Sequence, residues 1–131
     1  DSGLEVDLLG GAPGIYSSRW SGKKNNFNLA INKVFKEMNK IKKNWKNNCT
    51  AKFVCCLTIF WPDNRSYLAK GVVNGKISNK KKGNNGFGYD PIFIPNGYNK
   101  TFAEMEPKVK MSIDHRFKAF NQIRNFFIDK L

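Results

Sequence analysis

The nine residues Phe53-Val54-Cys55-Cys56-Leu57-Thr58-Ile59-Phe60-Trp61 constrain this chain more than any other stretch. Nearly every position is β-branched, aromatic or otherwise apolar, without polar alternation, so both faces of the strand they form are apolar. Such a strand belongs in the middle of a sheet, not on a wet edge. Pro62-Asp63-Asn64 supplies turn chemistry directly after it. Tyr67 to Ile77 makes a second strand, so the two read as a hairpin. Gly71 and Gly75 inside that second strand mark a bulge or the close approach of another backbone. A third, shorter strand at Ile92 to Ile94 is stopped by Pro95-Asn96-Gly97.

Helices surround these strands in sequence. Phe27, Ala30, Ile31, Val34, Phe35 and Met38 repeat with helical spacing and predict a helix over Asn26 to Lys40 whose apolar stripe is core packing. Lys42 to Asn48 reads as a polar linker. Thr101-Phe102-Ala103-Glu104 has capping-box spacing, and Pro107 can open a short helical turn through about Ile113. Asp114 is placed to cap a terminal helix with Phe117, Phe120, Ile123, Phe127 and Leu131 on its buried side. The expected fold is α/β, a single domain over residues 1–131 with a mixed, twisted sheet flanked by helices. A chain of 131 residues buries roughly two-thirds of its unfolded surface in one core. No apolar run approaches the ~20 residues that span a bilayer, so no membrane partner is expected. The start, Asp1-Ser2-Gly3, does not read as a secretory signal.

A formal net charge of +13 points toward polyanions, whether nucleotide, nucleic acid or an anionic surface. Between Arg19 and Lys52 the only acid is Glu37, and the segment is rich in Lys and Asn. Two readings stand on charge alone: solvated lysines, or a basic nucleic-acid-binding module. Cys49, Cys55 and Cys56 with the single His115 make no zinc pattern and read as small hydrophobes of a reducing cytosol.

Three places carry candidate chemistry. Gly83-Asn84-Asn85-Gly86-Phe87-Gly88-Tyr89-Asp90-Pro91 has glycines that allow positive φ and close approach. Phe87 and Tyr89 offer π-faces for a base, worth roughly 1–3 kcal/mol of stacking each. Pro91 biases Asp90 to extended backbone. The stretch is either a nucleotide-base pocket or a glycine-rich turn feeding a strand. At the start of the chain, Asp1, Glu5 and Asp7 fall on one face of an extended run, opposite Leu4, Val6 and Leu8. That is an acid-bearing surface strand or a carboxylate set for a hard cation such as Mg²⁺. Finally, Lys110, His115 and Arg116 gather near a helix start, where three cationic or donor side chains and free N–H groups would serve a phosphate or carbonyl oxygen, unless His115 and Arg116 are simply a surface pair.

Together these segments carry a resemblance. Asp1-Ser2-Gly3-Leu4-Glu5-Val6 with Leu9-Gly10-Gly11-Ala12-Pro13-Gly14-Ile15-Tyr16-Ser17 comes first. Gly86-Phe87-Gly88-Tyr89-Asp90-Pro91-Ile92-Phe93 with Lys100-Thr101-Phe102-Ala103-Glu104 follows, then Lys110 and Ser112-Ile113-Asp114-His115-Arg116. In this order they resemble the inosine triphosphate pyrophosphatases, or XTP/dITP diphosphatases, over nearly the whole chain. The resemblance implies an ITPase-like fold and hydrolysis of ITP, dITP and XTP to monophosphate and pyrophosphate, sanitising the nucleotide pool. It also implies Mg²⁺, the cytosol, a homodimer and no specific nucleic acid. It assigns Asp1 as proton acceptor and Mg²⁺ ligand, and Ser2 as a substrate contact. Phe87, Gly88, Tyr89 and Asp90 would form the base and ribose pocket, Lys110 would contact substrate, and His115 and Arg116 would read the base.

The chain departs from that family in two respects. Asp114 stands where the family usually has Ser. The family's N-terminal Thr-Gly-Asn-x-x-Lys loop, which grips the triphosphate, and a further acidic metal ligand are not in the sequence, which matches the C-terminal portion of such an enzyme. By itself the chain is therefore expected to bind nucleotide poorly, or to be inactive or unstable; a remnant that folds without function is a further reading.

Overall fold

The apolar run becomes β2, Thr50–Phe60, and it is central, as its composition requires. In the computed structural model, which describes residues 1–46 and 48–130, β2 pairs with β1 (Ser2–Val6) on one side and β3 (Ser66–Ile77) on the other. Phe53 sits between Leu4 and Val73 in this register. β4 (Phe93–Pro95) joins the far edge of β3, giving the order β1-β2-β3-β4. All three pairings are antiparallel, which narrows the expected mixed sheet to an antiparallel one among the described residues. The hairpin turn is held by Asp63, whose carboxylate accepts the Arg65 N–H at 3.1 Å.

Register runs unbroken through Gly71 and Gly75, so neither marks a bulge. Close approach explains them instead. A Cβ on Gly71 would come within 3.0 Å of the His115 carbonyl oxygen and the Ala119 nitrogen, both backbone atoms of α3 (His115–Lys130). Gly71 is thus the seat on which the terminal helix lies.

α1, Phe27–Ile41, forms where its stripe predicts, with the Asn26 carboxamide oxygen capping the Leu29 N–H at 3.3 Å. Its Ala30, Ile31, Val34 and Met38 bury into one cluster with Leu4, Val6, Phe53, Val73, Phe93 and Phe102. The face of β2 bearing Phe53 and Cys55 therefore receives both α1 and α3. Phe60, on the opposite face, is exposed, so the helices cover one side of the sheet and not two.

Local signals elsewhere hold. Thr101 and Glu104 form the reciprocal capping box around a short 3-10 turn, Phe102–Glu104, and α2 runs over Pro107–Met111. Three expectations are corrected. The stretch Lys42 to Asn48 is not only polar linker: Trp45 is buried, stacks on Phe35 at 5.6 Å and donates from Nε1 to the Asn39 Oδ1 at 2.7 Å. β1 stops at Val6, and Asp7 enters a 3-10 turn where it accepts the Thr50 hydroxyl, away from the face carrying Glu5. In α3, Phe117, Phe120 and Phe127 are exposed, whereas Ala119 is buried against β3. Leu131, the last member of that expected apolar face, lies outside the described residues, as does Asn47. Polar side chains of α3 complete the free edge of β3. Gln122 bonds both the N–H and the carbonyl of Lys70, and Lys118 Nζ donates to the Val72 carbonyl.

Candidate active site

A cavity of about 530 Å³ opens where the ends of several elements converge. Asp1 and Ser2 at the start of β1, Phe87 to Asp90 of the glycine-rich loop, and His115 and Arg116 at the start of α3 all line it. Eight of the nine residues singled out from the sequence are brought together in this way. The ninth, Lys110 of α2, lies behind the wall, bonded to Asp90.

The loop is built around Asp90. Its Oδ2 accepts the Phe87 N–H at 3.0 Å and the Lys110 ammonium at 2.7 Å, with both charged side chains buried. Gly86, with φ of 74°, passes directly over that carboxylate, and a Cβ there would collide with Oδ2. Asp90 opens a 3-10 turn, Asp90–Ile92, instead of taking the extended backbone expected before Pro91. Its carboxylate is turned inward, occupied by the loop and by Lys110.

The two aromatic residues do different work. Tyr89 is buried, edge-on to Phe27 at 5.4 Å, and its hydroxyl donates to the Ser17 carbonyl at 2.6 Å. Burial pushes that hydroxyl well above the ordinary tyrosine range, so it stays a donor. Tyr89 lines the cavity as a buried, hydrogen-bonded wall. Phe87 is the open ring, 58% exposed, with Lys110 Nζ at 4.6 Å and the Arg116 guanidinium at 4.4 Å from its centroid.

The three cationic or donor side chains near the α3 start sit in three different environments, and the surface-pair reading fails for His115. His115 is buried, with its ring stacked on Phe53 at 4.7 Å and 13°. Burial first, then the charges of Arg116 and Lys110, hold its pKa down to about 3. The imidazole is neutral at pH 7, and its Nδ1 is buried without a hydrogen-bond partner among the described residues. Lys110 is neutralised by Asp90, which leaves Arg116 as the cation facing the cavity. Asp114 caps the helix by accepting the Phe117 N–H at 2.8 Å.

At the other wall, Asp1 extends the β1–β2 ladder: its carbonyl accepts the Cys56 N–H at 2.8 Å. Its side chain lies at the open rim. No group of three His, Cys, Asp or Glu side chains able to hold a metal occurs among the described residues. The acid cluster expected of Asp1, Glu5 and Asp7 does not form. Glu5 pairs with Lys52 at 3.8 Å and Asp7 with Thr50. Asp1 alone offers one carboxylate, which suits a hard cation that takes its remaining oxygens from phosphates and water, as Mg²⁺ does, and not a cage built from protein alone.

Sequence reasoning did not place Ser17, Phe27, Phe53, Cys55, Leu57 or Phe120 at this cavity. Ser17 stood inside a recognised motif, but Phe27 and Phe53 carried only the signal of core residues. Phe120, expected to be buried, is exposed at the cavity rim.

The model of the Ham1 family matches residues 1–126. The dITP/XTP pyrophosphatase of Rhodospirillum centenum is 43% identical over 123 residues, covering 94% of this chain and 60% of the relative. That of Oceanobacillus iheyensis is 43% identical over 126 residues, covering 96% and 62%. Among solved structures, the Ham1 protein of Staphylococcus aureus superposes with a TM-score of 0.89 at 39% identity, over 100% of this chain and 66% of that one. The chain thus spans less than two-thirds of the length of these relatives. The reading as a basic nucleic-acid-binding module finds no support among them.

Proposed function

This chain belongs to the Ham1 family, and from that membership we propose that it forms the base-binding side of a hydrolase that converts ITP, dITP or XTP to the monophosphate and pyrophosphate. The observation that carries the reading is the convergence in one cavity of Asp1 and Ser2 with Phe87, Gly88, His115 and Arg116. Phe87 offers the exposed ring for the purine. Arg116, always protonated, is the donor for the 6-keto oxygen that hypoxanthine and xanthine present and adenine lacks. Ser2 contacts substrate beside Asp1. Lys110 acts from behind, holding Asp90 and lending charge to Phe87. A site built on such hydrogen bonds can reject a mismatched base by up to ~10⁴–10⁵.

The Asp1 carboxylate is the proton acceptor for the attacking water and would be this chain's oxygen ligand to Mg²⁺. When bound, the ion neutralises charge that develops on the phosphates. The same reading places the protein in the cytosol as a homodimer. The free thiols of Cys49, Cys55 and Cys56 support the first, and the exposed Phe60 and Leu68 support the second.

The test is pyrophosphate release with Mg²⁺ from ITP and from ATP, using the protein as its gene encodes it. Release from ITP and not ATP, lowered by roughly 10² or more in Asp1→Asn, is the expected result. Equal turnover of ATP, or full activity in Asp1→Asn, would refute it.

A further inference from the structure

Ser17 is bonded to both walls of the cavity. Its Oγ accepts the Leu4 N–H at 2.9 Å and donates to the Gly14 carbonyl at 2.7 Å. Its own carbonyl accepts the Tyr89 hydroxyl at 2.6 Å. The residue is buried and lines the cavity between the end of β1 and the glycine-rich loop.

Among the described residues β1 pairs with β2 on one side and has no strand on the other, where Glu5 bridges Pro13. The segment that follows supplies the partners. Val6 N–H reaches the Ala12 carbonyl at 3.0 Å, and Leu4 N–H reaches Ser17 Oγ. A hydroxyl that both accepts and donates is required at Ser17. Alanine there would leave the buried Leu4 N–H without this partner, whereas the Gly14 carbonyl would keep the Ser17 N–H. On the opposite wall Tyr89 is followed directly by Asp90, which fixes Phe87 through its N–H. A continuous chain of bonds therefore runs from β1 through Leu4, Ser17 and Tyr89 to the loop carrying Phe87.

The geometry points to Ser17 as a positioning residue that holds the acid-bearing end of β1 in register with the base-binding loop. This rests on the proposed function in one respect: a single substrate must meet Asp1 and Phe87 together. Asp1 is three residues along the strand from Leu4, roughly 10 Å at strand rise. A misplacement of about 1 Å in such an arrangement can cost up to ~10²-fold in rate. Ser17 touches no reacting atom in this scheme and acts through Leu4 and Tyr89.

The experiment uses Ser17→Ala, Ser17→Thr and Tyr89→Phe in the protein as its gene encodes it, with amide hydrogen exchange at Leu4 and steady-state release of pyrophosphate from ITP. Tyr89→Phe removes a hydrogen bond to Ser17 and none to β1, yet it should speed Leu4 exchange roughly threefold or more, because the far end of the bond chain is cut. It should lower kcat roughly tenfold and leave KM within about twofold. Ser17→Ala should do both more strongly, and Ser17→Thr, which keeps the hydroxyl, should recover most of each. Wild-type exchange at Leu4 in Tyr89→Phe would overturn the coupling whatever the activity. A rise in KM at unchanged kcat would overturn it as well, since Ser17 would then serve the base wall alone. If the unmutated protein releases no pyrophosphate, the hydrolase reading falls instead, and Leu4 exchange still decides the role of Ser17.

Discussion

Two places in this molecule combine the same three chemical parts with opposite results. Lys110 and Asp90 form an ion pair of 2.7 Å beside the ring of Phe87; Arg65 and Asp63 form one of 2.8 Å beside the ring of Trp61. The first pair is 8% and 4% exposed, the second 74% and 56%. In water, an ion pair of this length is largely offset by lost hydration and side-chain freedom, and contributes about 0–1 kcal/mol. Behind the cavity wall, neither charge can be left alone, and the carboxylate also holds a backbone N–H of the loop. The same kind of contact therefore fastens a turn loosely at the hairpin tip and fixes a wall of the cavity. Desolvation makes the difference.

The largest expected effect breaks the buried pair. Asp90→Ala should cost about 3–5 kcal/mol in denaturant unfolding, because it leaves a buried ammonium and the Phe87 N–H unpartnered. Replacing both charges, Asp90→Leu with Lys110→Met, should restore most of that stability without restoring nucleotide binding. Recovery of binding in the double variant would show that the pair serves packing alone.

Gly71→Ala comes next. The new methyl meets two backbone atoms of α3, and overpacking of this kind costs about 1–3 kcal/mol. The comparison predicts that the damage is felt at the His115 and Arg116 end of α3 more than at the hairpin tip. Site-resolved hydrogen exchange along α3 would show which end loosens.

A third test uses acid. His115 is held near a pKa of 3 in the folded protein against an ordinary 6.5, so below pH 6.5 the unfolded chain binds a proton that the fold refuses. Its contribution to stability is whole above pH 6.5 and is lost as pH falls toward 3, at about 1.4 kcal/mol per pH unit. His115→Phe, which keeps the ring on Phe53, should remove about 2 kcal/mol of the acid destabilisation between pH 6.5 and 5. Equal pH dependence in variant and wild type would mean that the imidazole ionises freely.

The smallest effect is at the exposed pair. Asp63→Ala should change stability by less than about 1 kcal/mol, and high salt should shrink even that. A loss comparable to Asp90→Ala would erase the contrast between the two sites.

Much of the fold was legible because its signals are local or periodic. Phe27 to Met38 repeat at helical spacing, and α1 follows; Thr101 and Glu104 cap a turn three residues long. The site was legible as a set of residues because the same short motifs converge. What each residue does there was not. The sequence did not say that Asp90 is turned inward onto the Phe87 N–H and Lys110, that Tyr89 is hydrogen-bonded to Ser17, or that His115 is buried against Phe53. In α3 the phenylalanines share a helical spacing, yet Phe117, Phe120 and Phe127 are exposed while Ala119 and His115 are buried, and Ala119 meets Gly71, which admits only a close-packed backbone.

The amino-acid sequence by itself determined that β2 is a central strand, where α1 runs, and which short motifs stand out from the rest of the chain. Those properties depend on side-chain type and spacing, which the chain states directly. Tertiary structure decided that the helices share one face of the sheet, that Lys110 stands behind Asp90, and that Arg116 is the cation left facing the cavity. Those depend on which charge is desolvated and which partner reaches it, quantities that exist only once segments tens of residues apart are in contact.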